Sequence, residues 1–279
     1  MGKKFLIFVV FILILSACRS DSNDTTEDNV SDLQILGASS SVTLDENRVV
    51  ITLWDGENRV ADADKLTVTA RENNDVIWQG VASSYADYEI PYWVVYPEFS
   101  HSGPWILELE IERTDGRMET ATLGVQVLDE PVGVPAGETA LASQNRTWDG
   151  ESQLRNITSD PDPNPAFYEK TVAEALDEAK PVVLIFSTPG LCQSKICAPV
   201  MRTIEPLWED YQDQINFIHI EVYDDFATLS WVKEMFEWQL QTEPWVYVIN
   251  SNGTIVTRLD GPVARSELEP VLLNVIAQS

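Results

Sequence analysis

One stretch constrains this chain more than any other: Pro181-Val-Val-Leu-Ile-Phe186, then Ser-Thr-Pro-Gly-Leu-Cys192-Gln-Ser-Lys-Ile-Cys197-Ala-Pro199. The apolar run, rich in β-branched residues and opened by proline, reads as a buried strand. Proline is tolerated in the first turn of a helix and costs about 3 kcal/mol deeper in, so Pro199 sets a helix start near Cys197. Cys192 then lies in the loop ahead of that helix, free to fold back onto Cys197. Two cysteines at this spacing inside one regular helix would instead point in divergent directions. Amides at a helix N-terminus favour a thiolate there, and Lys195 adds a positive charge.

The third of the three cysteines, Cys18, ends a different pattern. Lys3 and Lys4 precede the apolar segment Phe5 to Leu15, which is too short to span a bilayer as a mature helix. Leu15-Ser-Ala-Cys18 resembles the lipobox of bacterial lipoproteins. That resemblance implies a signal peptide over residues 1–18, lipidation of Cys18, and a mature chain anchored by lipid outside the cytoplasm, at the cell membrane or outer membrane. An uncleaved membrane anchor is the competing reading. In that compartment a single cysteine pair is a disulfide, a redox centre or a soft-metal site. Residues 19–32 are Ser/Asp/Asn/Thr-rich and read as a disordered tether. The formal net charge of -27 excludes nucleic acid as a partner, since phosphates need basic patches.

Length suggests two domains. Over residues 33–129, β-branched and aromatic alternation at Val49–Trp54, Lys65–Ala70, Trp105–Ile111 and Met118–Leu128 predicts strands. Asp55-Gly56, Asn73-Asn74 and Asp115-Gly116 supply turns between them. Short strands at that spacing predict an all-β immunoglobulin-like sandwich. The aromatic cluster from Tyr85 to His101 is read first as core plus a proline-bounded loop packed on the neighbouring domain. A recognition surface is the alternative. Residues 130–165 are proline-rich and read as an extended linker. Residues 166–279 follow the order helix (169–179), strand, helix (200–211), strand (215–222), helix (229–238), hairpin around Ser251-Asn-Gly253, helix (266–277).

That order, with cysteines at a strand-to-helix junction and Glu243-Pro244 entering the hairpin, resembles the α/β thioredoxin-like superfamily over about residues 167–276. Thr188-Pro-Gly-Leu-Cys192, Cys197-Ala-Pro199, His219-Ile-Glu-Val-Tyr223 and Glu243-Pro-Trp-Val246 are similar to secreted bacterial members with a C-x4-C pair. The resemblance implies Cys192 as the attacking thiol and Cys197 as the resolving thiol. It also implies Pro244 as a cis-proline facing them, with Glu243 and Pro244 forming the substrate-binding turn. The sequence departs from thioredoxin in its cysteine spacing and at Phe186, where the family carries a buried carboxylate. Glu243 is a further departure; a carboxylate there would raise thiol pKa values.

These residues together predict a membrane-tethered thiol-disulfide oxidoreductase acting on protein thiols or disulfides, with no cofactor and no metal. The rival from another class is a non-catalytic binding lipoprotein with a structural disulfide. A copper site using His219 and a peroxidase are weaker. No histidine follows His219, and Thr188 stands four residues before Cys192 where peroxidases have three.

Overall fold

The computed structural model describes residues 33–60 and 62–279. The segments expected to be a signal peptide and a tether, with Cys18 between them, lie outside the described residues. Among the described residues no helix is long and apolar enough to cross a membrane.

Nine strands come first: β1 (Leu33–Gly37), β2 (Val49–Asp55), β3 (Asn58–Arg59), β4 (Ala63–Glu72), β5 (Asp75–Val81), β6 (Ser83–Tyr85), β7 (Tyr92–Val95), β8 (Gly103–Arg113) and β9 (Met118–Val127). They form two antiparallel sheets. One has the order β1-β2-β7-β6 with β3 paired to β2, the other β5-β4-β8-β9. The turns fall at the dipeptides expected. Asn73 and Asn74 both take positive φ (49° and 74°), as a tight two-residue hairpin turn demands, and Gly116 does so at 84°. Alternation decides the layering. Val49, Ile51 and Leu53 of β2 meet Leu66, Val68, Leu107, Leu109 and Ile111 of the opposite sheet in one buried core.

The second half is built from α1 (Val172–Asp177), β10 (Val182–Ser187), α2 (Cys197–Tyr211), β11 (Asn216–Glu221), β12 (Tyr223–Asp225), β13 (Ser230–Trp231), α3 (Lys233–Glu237), β14 (Trp245–Ile249), β15 (Ile255–Asp260) and α4 (Arg265–Ala277). The main sheet has the order β11-β10-β14-β15, with β10 parallel to β11 and antiparallel to β14. It is buried on both faces. Val183, Ile185, Val246 and Val248 pack with Val200, Ile204 and Leu207 of α2 and Leu268, Leu272 and Val275 of α4. Val182, Leu184, Phe186 and Tyr247 pack on the other side with Val172, Ala175, Met235 and Trp238. α1 opens on a capping box, with Thr171 bonding the amide of Glu174 and the Glu174 carboxylate returning to Thr171. The helix expected over 229–238 is shorter than its pattern. Leu229 takes φ 55°, Ser230–Trp231 pairs with β12, and helical geometry begins only at Lys233.

The two halves share a core. Val50, Tyr92 and Val94, on the outer face of the first sheet, and Tyr88, in the turn between β6 and β7, are buried together with α2 and α4. Tyr92 sits between Tyr85, stacked at 5.0 Å, and Tyr88, edge-on at 5.4 Å. Tyr85, Tyr88 and Tyr92 of the aromatic cluster thus pack at a seam, while Trp93 and Phe99 belong to the sandwich core. Arg48 crosses the same seam: its guanidinium donates to both carboxylate oxygens of Glu267 at 2.8 Å, and to the carbonyls of Asp260 (2.7 Å) and Pro262 (2.9 Å). Tyr92 donates to Glu267 and accepts from the Ala264 amide at 2.7 Å.

Residues 130–164 hold one 3-10 turn (Leu154–Asn156) and otherwise run irregularly, yet they are fastened along their length. Glu138 and Ala140 bond the backbone of Ile255 and Gly253. Trp148, Leu154 and Ile157 pack against the shared core.

Candidate functional site

The loop between β10 and α2 is shaped by three local features. The Thr188 carbonyl accepts from the amides of Leu191 (3.1 Å) and Cys192 (2.9 Å), closing a turn. Lys195 takes a left-handed φ of 60°, which reverses the chain just before the helix. Pro199 occupies the first turn of α2, which starts at Cys197 as its position requires. The loop is also pinned from outside. Ser159 donates through its amide (2.7 Å) and hydroxyl (2.6 Å) to the buried carboxylate of Glu221, and its Oγ accepts from the Gly190 amide at 3.1 Å. A Cβ at position 190 would lie 2.2 Å from the Ser159 carbonyl oxygen, so only glycine fits there.

Cys192 folds back onto the helix terminus. Its Sγ accepts from the Cys197 amide at 3.4 Å and lies 3.1 Å from the Ser194 hydroxyl. Both thiols are free; Cys192 is half-buried and Cys197 fully buried. Their acidities are driven apart. The hydrogen bond from the Cys197 thiol does most to lower Cys192, against the cost of burial, with help from Ser194 and the amides of Cys197 and Ile196; the result is about 5. The same bond, followed by burial, pushes Cys197 well above the ordinary thiol range. A thiolate at Cys192 and a thiol at Cys197 is therefore the reduced state near neutral pH. The expected contribution of Lys195 is not among the leading causes; hydrogen bonds carry the shift.

Glu243-Pro244 is cis, and its turn faces this pair. The Glu243 carboxylate and both sulfurs lie within 4.8 Å of one another. Burial first, and then the Cys192 charge, raise the carboxyl to about 7. Two sulfurs and one oxygen at that spacing are also donors of the kind Zn2+ accepts.

His219, named above as a possible copper ligand, lies on β11. It is fully buried, with Nδ1 2.6 Å from the Tyr168 hydroxyl and Nε2 2.8 Å from Ser187 Oγ. Burial holds its imidazole below the usual range. It takes no part in the cysteine–glutamate cluster.

Three neighbours of the site were not read from the sequence. Ser194 was within view, as the hydroxyl nearest Cys192 in the loop. Tyr88 donates to the Ile196 carbonyl at 3.3 Å from the far half of the chain, and Glu221 acts through Ser159. Neither of the latter has a local signal, because both depend on contacts distant in sequence.

No protein-family model matches the chain, and no curated protein matches it. Among solved structures it is similar to a thioredoxin-like protein determined in solution in its oxidised form. That match has 18% identity and a TM-score of 0.30, and covers 36% of this chain and 80% of the other. It is also similar to an engineered protein in a crystal structure, at 14% identity and a TM-score of 0.25, covering 34% of this chain and 20% of the other. Scores this low fix neither fold nor chemistry.

Proposed function

We propose that this protein is a thioredoxin-like thiol-disulfide oxidoreductase, tethered by lipid at Cys18 outside the cytoplasm, with an immunoglobulin-like sandwich as its first domain. The observation that carries the reading is the opposed pair: a half-buried Cys192 sulfur that accepts hydrogen bonds at a helix start, and a buried Cys197 that donates one to it. Catalysis by such a pair needs one thiolate ready to attack and a second thiol held back for resolution.

The Cys192 thiolate attacks a substrate disulfide. A bond forms between Cys192 Sγ and one substrate sulfur, the substrate disulfide breaks, and its other sulfur leaves as a thiolate that takes up a proton. With Cys192 no longer charged, the raised Glu243 carboxyl ionises more readily and is placed to accept the Cys197 proton. Cys197 then attacks Cys192 Sγ, and the remaining substrate sulfur leaves. The substrate has gained two electrons and the cysteine pair has lost them. A dithiol substrate runs the same steps backwards, and an external dithiol or disulfide resets the pair.

The reduction potential of the pair tests this against a purely structural staple. Structural disulfides lie below about -300 mV, whereas exchange-active ones are more oxidising. A potential above that value, with Cys197→Ser trapping mixed disulfides and Cys192→Ser trapping none, is the expected result. A potential below it, with neither variant altering exchange, would leave the pair as a staple in a binding lipoprotein.

A further inference from the structure

The face of the first sheet that seats on α2 and α4 does not end with them. Strand side chains alternate, so Thr52 and Trp54 lie on the same face of β2 as Val50. Leu36 stands opposite Thr52 in register, and Arg59 opposite Trp54. Beyond the helices this face overhangs a cleft of about 490 Å3 whose other wall is Ser194–Ile196 and the Thr242–Glu243 turn. Leu36, Trp54, Ile90 and Ile196 make its lining mainly apolar. Arg59 and Lys195 set two cations at its margin, in a chain of net charge -27. Lys195 makes no ion pair among the described residues, and Leu36 is left 52% exposed.

The walls are tied together. Thr242 Oγ1 donates to Ser40 Oγ at 2.9 Å, and Tyr88 holds the Ile196 carbonyl. Cys192 lies just beyond one end, next to Ser194 and Glu243.

We infer that this cleft binds an extended segment of a partner polypeptide, one with large apolar side chains flanked by acidic residues, and delivers its sulfur to Cys192. The delivery of sulfur rests on the exchange reading; the binding of the segment does not. An apolar wall continuous with the shared core gains by covering Leu36 and Trp54, which a small thiol at Cys192 would leave bare. Repulsion from the acidic remainder of the chain is screened beyond about 8 Å at physiological salt, so the charged groups lining the cleft decide the flanking charge, and there Arg59 and Lys195 outnumber the carboxyl of Glu243.

The test is fluorescence anisotropy on the soluble chain, using labelled peptides of about ten residues, which reach about 33–36 Å when fully extended. Each carries Ser in place of Cys, with Leu or Phe at its centre and either Asp or Lys flanks. The Asp-flanked peptide should bind, and Leu36→Glu should weaken it by about tenfold or more. Leu273→Glu, at an equally exposed apolar position on α4, should bind as the unsubstituted protein does. Arg59→Glu, at an exposed side chain, should turn the preference toward Lys flanks. No binding, binding indifferent to Leu36→Glu and Arg59→Glu, or tighter binding of the Lys peptide to the unsubstituted protein would overturn the inference. Because the peptides hold no sulfur, the two readings fail separately. Exchange without peptide binding removes the cleft, and peptide binding without exchange removes the redox reading.

Discussion

Replacing Cys197 with alanine deletes the thiol whose hydrogen bond does most to hold Cys192 at about 5. A hydrogen bond to a charged group contributes about 1.5–3 kcal/mol, and one pKa unit corresponds to about 1.4 kcal/mol. The deletion should therefore raise Cys192 by about one to two units, to about 6–7. It should remain below the free thiol value of about 8.5, because Ser194 and the amides of Ile196 and Cys197 stay in place. At pH 6 the thiolate fraction would fall from about nine-tenths to between about a half and a tenth. Alkylation rates would understate this, since a more basic thiolate is intrinsically the better nucleophile. The quantity to read is the midpoint of the pH profile, from ultraviolet thiolate absorbance or alkylation. Cys197→Ser keeps an O–H donor and should fall between the two. An alanine midpoint coincident with that of the unsubstituted protein would refute the reasoning and leave the low pKa to Ser194 and the helix amides.

Glu243→Gln bears on stability as well as on proton transfer. In the reduced protein the depressed Cys192 pKa contributes stability that is complete above about 8.5 and lost as pH falls through about 5. The raised Glu243 carboxyl acts in the opposite sense: its contribution is present below about 4.3 and lost as pH rises through about 7. The glutamine variant should therefore gain stability more steeply between about pH 5 and 7 in urea titrations, and it should accumulate the mixed disulfide in quenched turnover. Arg48→Ala strips a buried guanidinium from Glu267 and from two carbonyls. Breaking a buried pair from one side costs about 3–5 kcal/mol, so its urea midpoint should drop well below that of an exposed-site control such as Arg71→Ala, whose partner Glu108 is solvated.

What the sequence disclosed follows from how local each signal is. Pro199 dictates the start of α2 from two residues away, and the alternation along β2, β4, β8 and β9 is carried by neighbours in the chain. Asn73-Asn74 gives its turn directly. The relative exposure of Cys192 and Cys197 follows from loop against helix. The helical spacing of residues 229–238 misled at its start, where pairing of Ser230–Trp231 with β12 outweighs periodicity. The Arg48–Glu267 contact, the Ser159–Glu221 clip and the cleft beside Leu36 join residues far apart in sequence, and no window of the chain contains both partners. Glu243 was legible as an oddity before its proline. Its distance from the sulfurs was not.

The seam around Tyr88 and Tyr92 also bears on how the chain is assembled in time. Synthesis delivers the first half before the second, at about 5–20 residues per second. The face bearing Val50, Tyr92 and Val94 is therefore complete while Leu268, Leu272 and Val275, which cover it, are still to come. Contacts of such sequence separation must meet their loop-closure cost before they reward it, which slows the final step of folding. Until both α2 and α4 dock, part of the aromatic stripe stays uncovered, and the window of vulnerability to misassociation lasts at least until α4 has been made.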